Sequence, residues 1–475
     1  MPLSKNIRVA YAAIAIFILS VLAFQYKVVF LNWDTETGKF TTNNVFFDDG
    51  GMYASILHVF QEGDRFTNQV WFKAIRDNIS QGTLLMEWGQ WAPRIKNAFY
   101  SHGLSMYSAW MQILVFANKF VGDINLTFTV SLLFFPAFLF LKYFVLLPIF
   151  VRKPHLLLVM ATNLFYDVSS IPSFQSGEIF ANQVFLVGLS SIIFGKQERV
   201  LTVIGWGFLL GSSFFDIVVI PAVLAVVLGH LFYNYSPIRI EQKYFLLILI
   251  GCIVMTYLAA ASWLVHDVFE YGKLYYNGAV RIFNKSATYD NLRIIFLLLL
   301  VHYIPIISPS LNSRRLEKIK CMILVLFVGG VFFVLIGRMI SLELGDNGGR
   351  LVTHIFIILL FGLGAIYENL KERRLQNVAA KITIALIIFS YTNFFLSSDV
   401  LRISKYVPFE VTHFPAKETS SGGMDYYLAR NPQQVHGYFI MRRYDEAPLI
   451  LDIRAPNYSK EKILADIERQ QKGSA

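Results

Sequence analysis

Leu126–Phe150, LTFTVSLLFFPAFLFLKYFVLLPIF, is an apolar run of 25 residues followed at once by the cations Arg152 and Lys153. An α-helix needs about 20 apolar residues to cross the hydrocarbon core of a bilayer, so this stretch is long enough for one crossing. If Leu126–Phe150 is the second crossing of the chain, Arg152 and Lys153 fall on the side of the N-terminus, where Lys5 and Arg8 also lie. The side taken by every later loop follows from that one assignment.

Further apolar runs occupy 9–31, 156–170, 177–195, 200–215, 217–233, 244–264, 291–307, 319–340, 351–367 and 379–397. With 126–150 they predict about eleven transmembrane helices. Alternate connections carry the cations: Arg152/Lys153, Lys196/Arg199, Arg239/Lys243, Arg314/Arg315/Lys318/Lys320 and Lys371/Arg373/Arg374. Cytoplasmic loops gather Lys and Arg, which puts the N-terminus in the cytoplasm and the C-terminus outside. Residues 104–121 are also apolar, but counting them as a crossing would invert every later loop. They are read as a membrane-dipping or buried helix of the first outer loop. The run from Val9 through Phe30 has no A-x-A-like cleavage site near its end, which predicts a retained first span rather than a signal peptide.

Composition agrees. Of 475 residues, 55% are hydrophobic and 16% charged, with 43 Phe, 24 Tyr and a mean hydropathy of +0.51. Soluble domains carry about a quarter charged residues, so disordered, collagenous and coiled-coil classes are excluded. The formal charge of +10 does not indicate a nucleic-acid partner, because the cations sit in short clusters between apolar runs. Cys252 and Cys321 both lie in apolar runs and offer no disulfide framework. The expected fold is an all-α polytopic membrane protein. Residues 1–397 form its transmembrane domain, with 32–125 as a long first outer loop, and 398–475 form a small α/β segment outside. Val70, Trp71, Ala74, Ile75 and Ile79 give the first loop an amphipathic surface helix. In the tail, YFIMRRYDEAPLILDI reads as strand–turn–strand and SKEKILADIERQ as a helix.

The chemistry is sought at Phe46-Phe47-Asp48-Asp49-Gly50-Gly51. Adjacent carboxylates repel, which raises the pKa of one and suits it to act as a base. Helix capping by Asp49 accounts for one aspartate and not for two. Glu178, after the turn SIPSFQSG, and Asp216, between two spans, are further outward carboxylates. The loop 265–290 mixes Tyr271, Tyr275 and Tyr276 with Lys273, Arg281 and Lys285, and Arg350 opens the tenth span from outside. Such cations suit a phosphate, Arg through its planar fork, and aromatic faces stack on sugars. His302 and Arg338 lie within spans and read as buried structural polar groups. There is no phosphate-binding Gly-rich loop, no H-E-x-x-H and no dinucleotide fingerprint.

A carboxylate pair on a first outward loop, then a surface helix, then many short spans, resembles the GT-C superfamily of membrane glycosyltransferases. The size and the two long outer segments resemble its serotype-converting O-antigen glucosyltransferases from bacteria and phages. Gly211-Ser-Ser-Phe-Phe-Asp216-Ile-Val-Val-Ile-Pro221 resembles the Asp-then-Pro pattern between two spans in related families. That resemblance implies an inverting hexosyltransferase of the bacterial inner membrane. It would move a sugar, glucose by the resemblance to the glucosyltransferases, from a polyprenyl-phosphate donor to an O-antigen or related lipid-linked glycan at the periplasmic face. Asp48 or Asp49 would be the base, with Glu178 and Asp216 as alternates. Arg350, Lys273, Arg281 and Lys285 would hold the donor phosphate, and Tyr271, Tyr275, Tyr276 and His102 the sugars. No cofactor is required, although the aspartate pair is able to take a divalent cation; no structural metal site is expected. The partners would be the donor, the glycan acceptor and membrane lipid, with no nucleic acid. An O-antigen polymerase or ligase is the alternative, and a lipid-linked glycan transporter stands behind it.

Overall fold

The computed structural model describes residues 5–31, 33–34, 39–40, 109–122, 124–131, 133–169, 177–196, 198–216, 219–236, 244–255, 285–340, 342–368, 410–414, 424–430, 436–443 and 449–454, with a few single positions besides. The chain divides into two compact units. One comprises Met1–Ala23, Phe134–Ile171 and Gly177–Leu401; the other comprises Phe24–Leu133, Pro172–Ser176 and Arg402–Ala475.

The first unit is helical. Its elements are α1 (Lys5–Leu31, to Ala23), α2 (Phe134–Phe150), α3 (Lys153–Ser169), α4 (Gly177–Phe194), α5 (Arg199–Gly211), α6 (Ile220–Tyr235), α7 (Tyr244–Met255), α8 (Lys285–Ile307), α9 (Arg314–Ile340) and α10 (Leu342–Glu368). Two described segments are long and apolar enough to cross a bilayer, Asn6–Ala23 and Gly177–Phe194. The remaining apolar helices run 10–17 residues where described. The helices that contain or adjoin these stretches include α8, α9 and α10, of 23, 27 and 27 residues.

Helix α4 is the centre of this unit. All but two of its side chains are buried, Glu178 and Ile192 being the partly exposed ones. Small residues let its neighbours approach closely. A Cβ on Gly188 would stand 2.5 Å from the backbone nitrogen of Leu209, and one on Gly205 would collide with Ser191. These two contacts fix α4 and α5 as antiparallel. On another side Asn182 and Phe185 meet His354, and Phe194 meets Phe361, so α10 runs parallel to α4. A Cβ on Gly229 of α6 would stand 2.6 Å from Met322 Cα of α9, and Phe245 of α7 stacks on His302 of α8.

These registers sort the connections between two ends of the unit. At one end Val151 bridges Gly195, the Arg152 amide donates to the Phe194 carbonyl, and Lys196 Nζ donates to the Pro148 carbonyl. Arg315 comes to the same end, 3.4 Å from His155 Nε2 and above the Phe194 ring. Three of the basic connections expected on one side therefore do meet.

Two expected spans differ in detail. The run 126–150 is not one helix: Ile124–Ser131 ends before Leu133, whose amide bonds the Val130 carbonyl in a turn, and a new helix starts at Phe134. Pro136 sits in the first turn of that second helix, where its missing N–H costs nothing. The short apolar segment 104–121 contains a helix, Ala109–Val121, of 13 residues. Its length of about 20 Å is too short for a crossing. Gly122 closes that helix at φ +72, a left-handed value that favours glycine, with its amide bonded to the Asn118 carbonyl at 2.8 Å.

In the second unit the tail forms a four-stranded antiparallel meander. Its strands are β3 (Glu410–Phe414), β4 (Met424–Arg430), β5 (His436–Arg443) and β6 (Leu449–Arg454), in that order, so each strand pairs with the next in sequence. β5 and β6 are the expected strand pair, with Met441 opposite Leu449 and His436 opposite Arg454. β3 and β4 extend it. A two-residue ladder, β1 (Trp33–Asp34) with β2 (Lys39–Phe40), completes the described sheets. The amphipathic helix expected near 70–79 and the tail helix near 459–470 lie outside the described residues.

Candidate functional site

The end of the first unit opposite its basic connections collects the polar groups of α3, α4, α5 and α10. Glu178 lies in the first turn of α4, partly exposed. Asn182 follows one turn later on the same face, and its Oδ1 lies 2.9 Å from His354 Nε2. Arg350 lies in α10 one turn before His354. Because α4 and α10 are parallel, Glu178 and Arg350 each precede this polar contact by one turn. The antiparallel register of α5 brings the short 3₁₀ turn Ser212–Phe214 and Asp216 to the same end. Asp216 is buried, and its carbonyl accepts the Val219 amide at 3.4 Å as the chain enters α6. Pro221 starts that helix.

Sequence reasoning thus chose three positions, Glu178, Asp216 and Arg350, that the fold brings to one end. The other choices, Asp48, Asp49, His102, Tyr271, Tyr275, Tyr276, Lys273 and Arg281, lie outside the described residues. Lys285 is the first residue of α8. Among the described residues no group of three His, Cys, Asp or Glu side chains could hold a metal ion.

A second polar group, absent from the sequence-based choices, lies inside the same unit. Lys142 is fully buried, and its ammonium donates to both carboxylate oxygens of Asp167 at 2.7 Å and to Gln183 Oε1. Gln183 Nε2 returns a bond to Asp167 at 2.6 Å, and the Tyr143 hydroxyl donates to Asp167 at 2.5 Å. The backbone makes this convergence feasible. Lys142–Leu146 is a π-helical turn, closed by the Leu147 amide on the Lys142 carbonyl. On an α-helix consecutive side chains diverge by about 100°, whereas here Lys142 and Tyr143 reach the same carboxylate. π-Turns of this kind recur at functional sites.

A buried charge is costly unless it is paired and hydrogen-bonded. Here the carboxylate receives four donors from three side chains, and all three hydrogens of the ammonium have acceptors. The network therefore acts as a fixed polar joint between α2, α3 and α4. Asp167 and Gln183 flank the connection that leads into Glu178, so the joint braces both ends of it. The signal in the sequence was a lysine inside an apolar run with an aspartate near the end of the next. Ionisable residues so placed are paired as a rule.

No protein-family model matches the chain, and neither a curated protein nor a solved structure does.

Proposed function

We propose that the chain is a polytopic membrane glycosyltransferase of the bacterial inner membrane, moving one sugar from a polyprenyl-phosphate donor to an O-antigen or related glycan at the periplasmic face. The observation that carries this reading is the sorting of charge between the two ends of the helical unit. Basic connections meet at one end, while Glu178, Asp216 and Arg350 belong to the other. A membrane protein with its cations in the cytoplasm has this polarity.

The surface of the unit supports the membrane reading. Large apolar side chains face outward along several helices, among them Leu19 at 64%, Val200 at 70%, Phe296 at 61% and Leu247 at 66% exposure. Apolar surface repeated in this way calls for a lipid or protein cover.

In the proposed reaction the acceptor hydroxyl oxygen attacks the anomeric carbon, and the bond from that carbon to the phosphate oxygen breaks. The hydroxyl proton passes to a carboxylate, and the phosphate leaves as an anion. Attack from the face opposite the leaving group inverts the configuration. Asp48 or Asp49 is the proposed base, with Glu178 and Asp216 next in line. Arg350, Lys273, Arg281 and Lys285 are the proposed phosphate ligands, and Tyr271, Tyr275, Tyr276 and His102 the proposed sugar contacts.

The buried Lys142–Asp167 pair favours a second reading, a transporter of lipid-linked glycan, because ion pairs within apolar helices also mark transport pathways. One experiment separates the two. Purified full-length chain in proteoliposomes is given a polyprenyl-phosphate-linked labelled sugar and a glycan acceptor. Label recovered on the glycan supports transfer; label that only changes leaflet supports transport and removes the transferase reading.

A further inference from the structure

The basic end of the helical unit holds two buried cationic or proton-binding side chains that the proposed sugar transfer does not use. Lys320, near the start of α9, is 7% exposed, and His302, near the end of α8, is 3% exposed. Both lie against one aromatic ring. The Lys320 ammonium stands 5.8 Å from the centroid of Phe245, and the His302 imidazole stacks on that ring at 5.8 Å with 13° between planes.

One ring nitrogen of the histidine has no partner, and the lysine has no ion pair among the described residues. His302 Nδ1 is buried with no hydrogen-bond partner. Among the described residues the ion pair within 4.0 Å is Lys142–Asp167, and no carboxylate comes that close to Lys320. Glu317 lies one turn earlier on α9, and its charge reaches the ammonium, but its Oε1 accepts from Asn312 at 3.2 Å. His230 repeats the pattern nearby: its Nδ1 is also buried and unpartnered, and the Lys318 charge acts on it. Buried polar atoms left without a hydrogen-bond partner are costly and call for something that supplies one. Basic pockets between helices at the cytoplasmic side of a membrane are suited to phosphate-bearing headgroups.

We propose that Lys320 and His302, on the floor formed by Phe245, bind a phosphate group at the end of the unit opposite the sugar-transfer site. A phosphate oxygen accepts from the ammonium, and a second meets His302 Nδ1 in its N–H tautomer or as imidazolium. The Phe245 ring excludes water from one side. The chemistry is shared by a phospholipid headgroup and by free phosphate. It stands apart from sugar transfer, because it needs only that this end meets water or headgroups.

The test is the thermal unfolding of the purified full-length chain in nanodiscs. Pure phosphatidylcholine discs are compared with discs containing phosphatidylglycerol. Separately, inorganic phosphate is titrated against chloride at matched ionic strength. Saturating ligand should raise the melting temperature of the wild type by on the order of 5 °C. A rise with phosphate in phosphatidylcholine discs assigns free phosphate as the ligand, and a rise confined to phosphatidylglycerol assigns the headgroup. Lys320→Gln should abolish the rise, while Lys320→Arg and the exposed-site control Lys153→Gln should keep it. Should Lys320→Gln fail to fold, His302→Gln carries the same comparison, with at least a tenfold loss of apparent affinity expected. A wild type that responds to neither ligand overturns the site. So does a rise that Lys320→Gln or His302→Gln retains, or one that Lys153→Gln loses equally.

Discussion

Lys142 and Asp167, 25 residues apart in the chain, face each other at 2.7 Å with neither side chain exposed to solvent. Removing one partner leaves the other buried and uncompensated, at a cost of about 3–5 kcal/mol, whereas replacing both with apolar residues of similar volume is often close to neutral. Lys142→Met and Asp167→Leu should each lower stability by that order, and the double variant should recover much of the loss. Unfolding of the four corners of this cycle in one detergent gives the coupling directly. Additive losses would show that the pair is not a joint.

Close approach of α4 and α5 depends on Gly188. A Cβ there meets the Leu209 backbone, so Gly188→Ala should destabilise by roughly 1–3 kcal/mol as the helices separate. Gly207, one helical turn from Gly211, has nothing within 4 Å of the same position. Gly207→Ala should be neutral, or stabilising by about 0.5–1 kcal/mol through helix propensity. Melting temperatures of the two variants check this, and equal effects would argue against the register.

The proposed topology predicts which side each connection occupies. With Cys252 and Cys321 changed to alanine, a cysteine placed at Ser310, exposed in the turn between α8 and α9, should resist a membrane-impermeant maleimide applied to intact spheroplasts. Cysteines placed in 32–103 or 398–460 should react. Labelling at Ser310 from outside would invert the model.

Much of this arrangement was legible in the sequence. Helices where described follow the apolar runs, because a long apolar segment bounded by cations has few other ways to satisfy its backbone. The clustering of Arg152, Lys196 and Arg315 at one end followed from counting loops, and β5 and β6 from the apolar and aromatic residues of YFIMRR and LILDI. What stayed hidden depends on tertiary contact. Nothing local marks Leu133 as a turn in an apolar run, and β3 and β4 are too polar to stand out as strands. Lys142, Asp167 and Gln183 look like three unrelated polar residues until a π-turn and two helix packings bring them together. Glu178 and Arg350, 172 positions apart, were chosen on separate grounds, and only the parallel register of α4 and α10 relates them.

In the proposed reaction a carboxylate of the first outer loop activates the acceptor hydroxyl for sugar transfer. The direct measurement is the rate at which purified wild type, Asp48→Asn and Asp49→Asn move a labelled sugar from polyprenyl phosphate to glycan. General-base contributions are about 10²–10⁴-fold, so the variant that removes the base should fall by that factor with expression and melting temperature unchanged. Wild-type rates from both variants would contradict the claim and move the search to Glu178 and Asp216.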